Sequence, residues 1–128
     1  MNLTLVEGRL AVCRLAADSE LPSWAISGRG FLSLTRTADE WSVVCAEQAV
    51  PPGIVRESGW RLLKVEGPLD FALTGILFSI AQPLSKAGVS IFALSTYDTD
   101  YVMVKEDRLP KAVEALESAG HILFRPPA

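Results

Sequence analysis

A chain of 128 residues with 49% hydrophobic content can bury enough apolar surface for one ordinary domain or two small modules, which excludes a disordered protein. The net charge of -3 leaves no basic footprint, so neither nucleic acid nor a membrane surface is an expected partner. The start lacks the pattern of a secretory signal, and no apolar run reaches the length of a membrane span. We therefore expect a cytoplasmic protein.

The first elements along the chain are predicted to be a strand region and a short helix. Apolar residues between Leu3 and Leu15 follow a strand pattern, with Glu7-Gly8 as a bend or bulge between two short segments. One short helix is expected between Ala16 and Ser27, with Pro22 in its first turn.

A hairpin and a proline break follow. Phe31 to Arg36 and Trp41 to Ala46 are two strand runs joined by a turn of hairpin length. Val50-Pro51-Pro52-Gly53 cannot continue a paired strand, because proline has no amide donor, and Ile54 to Gly59 is predicted to be a connector.

The second half begins with a strand and a helix. Trp60 to Val65 has the strand pattern, and apolar residues then recur at helical spacing from a start near Thr74 to an end at Gly88. The strands Val89 to Thr96 and Tyr101 to Lys105 come next, on either side of a polar turn.

The chain closes with a helix and a strand. Asp107 is predicted to cap a second helix that ends at Gly120, and His121 to Phe124 is a short strand. From Trp60 onward the order is strand, helix, strand, strand, helix, strand, which is the ferredoxin-like βαββαβ arrangement. The fold class is thus α+β, with an antiparallel sheet and both helices on one face.

The first half repeats this order imperfectly, because a proline break stands where a second helix is expected. We infer an internal duplication, with a degenerate module over residues 1–59 and a complete module over residues 60–128.

Particular residues of the second half resemble an ACT domain. They are Thr74-Gly75-Ile76, the helix end and strand Leu84-Ser85-Lys86-Ala87-Gly88-Val89-Ser90-Ile91, and Leu94-Ser95-Thr96-Tyr97-Asp98-Thr99-Asp100-Tyr101-Val102-Met103-Val104. More narrowly, the chain looks like the tandem ACT proteins related to the CASTOR arginine sensors and to the regulatory part of aspartate kinases. The first half matches loosely, through its hairpin and Val50-Pro51.

The resemblance implies a non-enzymatic regulatory protein that binds a small ligand, usually an amino acid, at a module or subunit interface. It implies no cofactor, and it favours a homodimer. The alternative is an interaction or assembly module that pairs through its sheet edges and binds no small molecule.

The candidate ligand-binding residues come from two segments, the loop that enters the first ACT helix and the turn between the next two strands. They are Asp70, Phe71, Thr74, Gly75, Ile76, Thr96, Tyr97, Asp98 and Asp100. Amides at the helix start suit a ligand carboxylate, Asp100 suits an ammonium group, and Tyr97 suits a side-chain wall. The alternative for these residues is ordinary cap, turn and packing chemistry.

Neither catalysis nor a metal site is expected. His121 is the only histidine, its place at a strand start favours a structural role, and no nucleophile has a recognisable partner. Cys13 and Cys45 are far apart in sequence, which is unlike a metal-binding pair, and they can approach only if their strands are neighbours.

Overall fold

The computed structural model describes residues 1–67 and 74–125, and within them the chain divides into two units by its contacts. The larger unit consists of Met1–Glu7 and Arg61–Ala128, and the smaller unit of Gly8–Trp60. Residues 1–7 thus pack with the C-terminal part of the chain. The predicted modules over residues 1–59 and 60–128 stay a prediction.

The described residues form seven strands and three α-helices. In chain order they are β1 (Asn2–Ala16), α1 (Ser23–Ile26), β2 (Ser33–Arg36), β3 (Glu40–Ala46), β4 (Val55–Val65), α2 (Ile76–Lys86), β5 (Phe92–Ser95), β6 (Asp100–Lys105), α3 (Leu109–Ser118) and β7 (Ile122–Phe124). Two 3-10 turns, Glu47–Ala49 and Glu106–Arg108, precede β4 and α3. None of the helices in the described part of the chain combines the length and the apolar character that crossing a membrane requires.

The sheet of the larger unit confirms the predicted βαββαβ order and adds one strand to it. Its strands lie in the order β7-β1-β4-β6-β5, with β5 antiparallel to β6 and β7 parallel to β1. The first residues of β1 therefore stand between the first and last strands of the βαββαβ unit.

One apolar cluster fills the space between this sheet and the two long helices. It contains Leu3, Leu5, Leu63, Val65, Ile80, Leu84, Val89, Val102, Val104, Leu109, Ala112, Val113 and Leu116. The strand members recur at every second residue and the helix members at helical spacing, so each element turns one face to the cluster. Burying a side chain such as Leu84 or Leu116 contributes about 1.5–3 kcal/mol.

The smaller unit has its own cluster beneath the predicted hairpin. β2 and β3 pair antiparallel, and β3 pairs antiparallel with β1. The hairpin turn is closed by Thr37, whose Oγ1 accepts the amides of Asp39 at 3.1 Å and Glu40 at 3.2 Å. The buried residues beneath it are Ala11, Cys13, Ala25, Val43, Cys45 and Val50.

Two expectations about strands were wrong. β1 is one continuous strand rather than two short segments, although Gly8, with a φ of 96°, suits the predicted bulge within it. The expected connector Ile54 to Gly59 is largely strand, since β4 begins at Val55. The polar and glycine residues of this segment concealed its strand pattern.

Two helix starts also differ from the sequence pattern. α2 begins at Ile76 rather than near Thr74, and α3 begins at Leu109, after the 3-10 turn. Asp107 lies within that turn and does not cap α3, whose N-terminus has no side-chain cap. The predicted helix ends hold, because Gly88 and Gly120 have φ values of 73° and 96°.

The two cysteines lie on neighbouring strands. In the β1–β3 register Cys13 stands opposite Val43 and Cys45 opposite Ala11, so the thiols are diagonal neighbours on one face. Both are free and buried. Burial raises the pKa of Cys13 to about 11 and also raises that of Cys45, so both thiols carry their protons at neutral pH.

Arg56 fixes the segment that links β3 to β4. Its guanidinium donates to the carbonyl oxygens of Ile54 at 3.1 Å, Val50 at 3.2 Å and Pro51 at 2.6 Å. Proline has no backbone N–H, so this segment has few backbone donors of its own. The planar guanidinium of Arg56 supplies donors to its carbonyl oxygens instead.

Replacing Arg56 by methionine should lower the free energy of unfolding by about 2–4 kcal/mol, because several carbonyls lose a charged donor at once. Arg56→Lys should lose a smaller part, since an ammonium group cannot reproduce the planar fork. Urea denaturation measures both. The matched control is Arg14→Met, which removes a single exposed hydrogen bond to Asp39. Equal unfolding midpoints for Arg56→Met and Arg14→Met would contradict the assigned role.

Candidate functional site

The turn between β5 and β6 is closed by threonines rather than by aspartates. Ser95 stands opposite Asp100 in the register, so the turn spans Thr96 to Thr99. The Thr96 amide donates to the Thr99 carbonyl oxygen at 2.8 Å, and the Thr99 amide lies 3.4 Å from the Thr96 Oγ1. These bonds account for the turn without either carboxylate.

Thr99 attaches this turn to the sheet. Its side chain is buried, and its hydroxyl donates to the Val65 carbonyl oxygen at 2.6 Å. Val65 is the last residue of β4, so the turn lies at the end of that strand. Thr99 is not among the residues that the sequence predicts for the site. Its position between two aspartates gave no sign of burial, because its partner lies 34 residues away.

Asp100 is oriented by a neighbouring hydroxyl. Its Oδ1 accepts a hydrogen bond from the Ser95 Oγ at 2.6 Å, and its side chain is partly exposed. A carboxylate has capacity for further donors, so this bond fixes its direction without exhausting it. Tyr97, at 80% exposure, and the exposed Asp98 and Thr96 extend from the same turn.

The other predicted segment is the start of α2. Gly75 precedes the helix with a φ of 76° and accepts the Ser79 amide at 2.9 Å. No side chain of the described residues caps this end of the helix, which does not support the alternative that Thr74-Gly75 is simply a capped helix start. A Cβ atom added at Gly75 would meet nothing within 4 Å, so the backbone here is open to approach. Uncapped amides and the positive end of the helix dipole are suited to an anion.

The remaining predicted residues have different positions. Ile76 is partly buried against the core of the larger unit. Asp70 and Phe71 lie outside the residues that the structure describes.

The directions of the strands and of α2 indicate at which end of the sheet the β5–β6 turn and the start of α2 lie. β4 ends beside the turn through the Thr99 bond, and β5 ends in the turn itself. α2 lies between these strands in sequence and ends five residues before β5 begins, so it returns from the turn end of the sheet to the opposite end. This order favours a common location for both segments. A contact between them remains a prediction.

His121 has structural partners on both ring nitrogens. Nε2 lies 2.8 Å from the Ser79 carbonyl oxygen, which can only accept, so Nε2 carries the proton. Nδ1 then accepts from the Met1 amino group at 3.2 Å. Pro83 explains the first bond, because it lacks the amide that would otherwise reach the Ser79 carbonyl within α2. The ring therefore serves the packing of the unit.

The ACT domain family model matches residues 55–118, which is half of the chain. The chain belongs to the ACT domain family. A second family model, which describes an N-terminal domain, matches residues 8–53. The resemblance found in the sequence is therefore confirmed, and the predicted α+β ferredoxin-like fold with it.

Similar proteins match either nearly the whole chain or part of it. Protein Atu0741 from Agrobacterium tumefaciens is 38% identical, with a TM-score of 0.92 over 99% of this chain and 94% of that one. The cytosolic arginine sensor for mTORC1 subunit 1 from Bos taurus is 33% identical over 97 residues. That match covers 67% of this chain and 30% of the sensor, so the chain spans about a third of that relative's length.

A third similarity concerns the fold alone. The regulatory subunit of aspartate kinase from Thermus thermophilus has a TM-score of 0.61 over 88% of this chain and 91% of its own, at 8% identity. A tandem ACT arrangement fits this neighbour and the family match.

Thr99→Val should lower the free energy of unfolding by about 1–3 kcal/mol, because an isosteric methyl leaves the buried Val65 carbonyl without its donor. Chemical denaturation monitored by circular dichroism checks this loss. Thr35→Val, at an exposed strand position, is the control and should change stability by less than about 0.5 kcal/mol. A Thr99 variant as stable as the control would mean that the turn is held by other contacts.

Proposed function

We propose that the chain is a non-enzymatic regulatory protein that binds a free amino acid through the β5–β6 turn and the start of α2. The observation that carries this proposal is Asp100. Its carboxylate is oriented by Ser95 at the edge of the sheet, while the turn is closed without it. An acid that the turn does not need is available for a ligand.

The two segments offer complementary chemistry. Asp100 can accept an ammonium group through a charge-assisted hydrogen bond, with Asp98 adding negative potential nearby. The uncapped amides after Gly75 can donate to a carboxylate, and the open space around Gly75 permits close approach. The exposed Tyr97 provides a wall with a polar tip. An α-amino acid carries both charged groups, which makes it the ligand class that fits best.

The relatives support the same class of function. One is named as a cytosolic arginine sensor and another as a regulatory subunit of aspartate kinase. We infer from them a cytoplasmic sensor without catalytic activity of its own. Asp70 and Phe71 complete the proposed ligand set, together with Thr74, Ile76 and Thr96. The identity of the amino acid is left to experiment.

A thermal-shift screen of the free amino acids tests the binding directly. A ligand at a hundred times its Kd adds about 2.7 kcal/mol of stability, which raises the Tm by several degrees. Asp100→Asn should abolish this shift with little change in the unliganded Tm, because asparagine can still accept from Ser95. The matched variant Ser95→Ala keeps the charge and should retain most of the shift. The proposal fails if no amino acid shifts the Tm at millimolar concentration, or if Asp100→Asn shifts like the wild type.

A second candidate function is assembly through the edge strand β7. Within the described residues β7 pairs with β1 alone, and its side chains Ile122 and Phe124 are 55% and 50% exposed. An exposed apolar edge of this kind is suited to pairing with another chain. This observation favours the predicted homodimer.

Sedimentation velocity at micromolar concentration tests that assembly. The wild type should sediment as a dimer, and Ile122→Asp should sediment as a monomer, because a charge on the edge opposes strand pairing. Leu21→Asp is the control, since Leu21 is 57% exposed and belongs to the smaller unit, whereas β7 belongs to the larger one. A monomeric wild type, or a dimeric Ile122→Asp, would exclude assembly through β7. Repeating the amino-acid screen on the monomeric variant separates assembly from ligand binding.

A further inference from the structure

The smaller unit contains a cavity of about 180 Å³ beside the end of β3. One wall is the segment 28–32 that follows α1, and the other is formed by the end of β3 with the 3-10 turn Glu47–Ala49. All of its lining residues belong to the smaller unit, whereas the residues of the proposed amino-acid site belong to the larger one. The cavity is therefore a second candidate site.

Its volume suits a small organic molecule. A protein cavity of about 150 Å³ lined by apolar side chains accommodates benzene. A cavity of about 180 Å³ therefore accommodates a six-membered ring, or a branched chain of similar size, together with a small polar group.

The interior of the cavity is apolar and uncharged. Ala25 and Cys45 are 3% and 2% exposed and form its floor, while Ala46 and Ala49 contribute short side chains to the walls. Burial raises the pKa of Cys45, so its thiol stays protonated and acts as a small polarizable apolar group. The body of a ligand should accordingly be hydrocarbon.

The backbone conformation at position 28 does not require glycine, so a side chain could occupy the space beside it. Its φ lies outside the left-handed region, so an L-residue is compatible with the backbone there. A Cβ at this position would meet the Ala25 carbonyl oxygen at 3.6 Å and the Ala49 Cβ at 3.8 Å, which are ordinary contacts. A larger side chain at position 28 would therefore reduce the cavity without straining the chain.

The charge at the cavity is positive. Arg29 and Gln48 provide the polar side chains of the lining, and both are exposed, which puts them on the solvent side. In the part of the chain that the structure describes, Arg29 pairs with no carboxylate. The adjacent Glu47 is already engaged by Arg9 at 3.0 Å and by the Gly59 amide at 3.0 Å.

We propose that this cavity binds a small monocarboxylate whose body is an apolar ring or branched chain. The carboxylate pairs with the Arg29 guanidinium at the mouth, and the body packs against Ala25, Ala49 and Cys45. Because no acidic side chain lines the cavity in the part of the chain that the structure describes, an α-ammonium group would find no charged partner there. The site thus selects carboxylates that lack an amino group.

An NMR titration of the ¹⁵N-labelled full chain with benzoate tests the proposal. Saturable shifts are expected for the amides of Gly28, Ala46 and Ala49. Benzamide, which has the same shape without the charge, should bind more weakly by about tenfold or more, as expected from the loss of a charge-assisted hydrogen bond. Phenylalanine should shift these amides no more than benzamide does.

Two variants and a control locate the binding. Arg29→Gln should weaken benzoate by about tenfold, and Gly28→Val should remove the saturable shifts by filling the cavity. Arg14→Gln changes an exposed arginine of the same unit and should bind like the wild type. Amide dispersion in each variant's spectrum reports whether it is folded. The proposal is overturned if neither benzoate nor 3-methylbutanoate gives saturable shifts, or if Gly28→Val or Arg29→Gln binds as the wild type does.

Discussion

The larger unit depends on the burial of one apolar sheet face beneath α2 and α3. Leu3, Leu63, Val102 and their neighbours supply that face, and each helix contributes a single stripe to it. Because each well-buried aliphatic side chain contributes about 1.5–3 kcal/mol, this layer outweighs any single polar contact at the margin of the unit. The layer fixes where α2 begins and where the β5–β6 turn lies, and the proposed amino-acid site takes its geometry from both.

Burial also creates polar groups that must find partners. Pro83 in α2 leaves the Ser79 carbonyl without its intrahelical donor, and the His121 ring supplies one at 2.8 Å. Val65 at the end of β4 likewise receives the Thr99 hydroxyl at 2.6 Å. An unpaired buried carbonyl costs about 1–3 kcal/mol. These side chains therefore stabilise the unit by donating to carbonyl oxygens that would otherwise have no partner. In the smaller unit Arg56 does the same for the carbonyls of a proline-rich segment.

The two proposed binding sites use opposite charges in different units. In the larger unit an oriented carboxylate and an uncapped helix start match a zwitterion, whereas in the smaller unit an exposed guanidinium above an apolar cavity matches an anion. Asp100 is oriented by Ser95 while other groups close its turn, and Arg29 pairs with no carboxylate among the described residues.

The spacing of apolar residues and the positions of glycine in the sequence determined much of the fold of this protein. Alternating apolar residues and the glycines at 88 and 120 predicted the βαββαβ order, and the ACT resemblance indicated the candidate site. Strand limits were less predictable, because Gly8 and the polar start of β4 resemble breaks but lie within continuous strands.

Only the tertiary structure decided which side chains hydrogen-bond within the fold and which remain available to a ligand. Thr99 has the sequence context of an ordinary turn residue and is a buried anchor, while for Asp100 the structure shows that the turn closes without it, as its choice as a ligand-binding residue requires. The cavity beside Arg29 has no sequence signature at all. The physical reason is that these properties depend on partners distant in the chain, such as Val65 for Thr99, and local pattern carries no information about such partners.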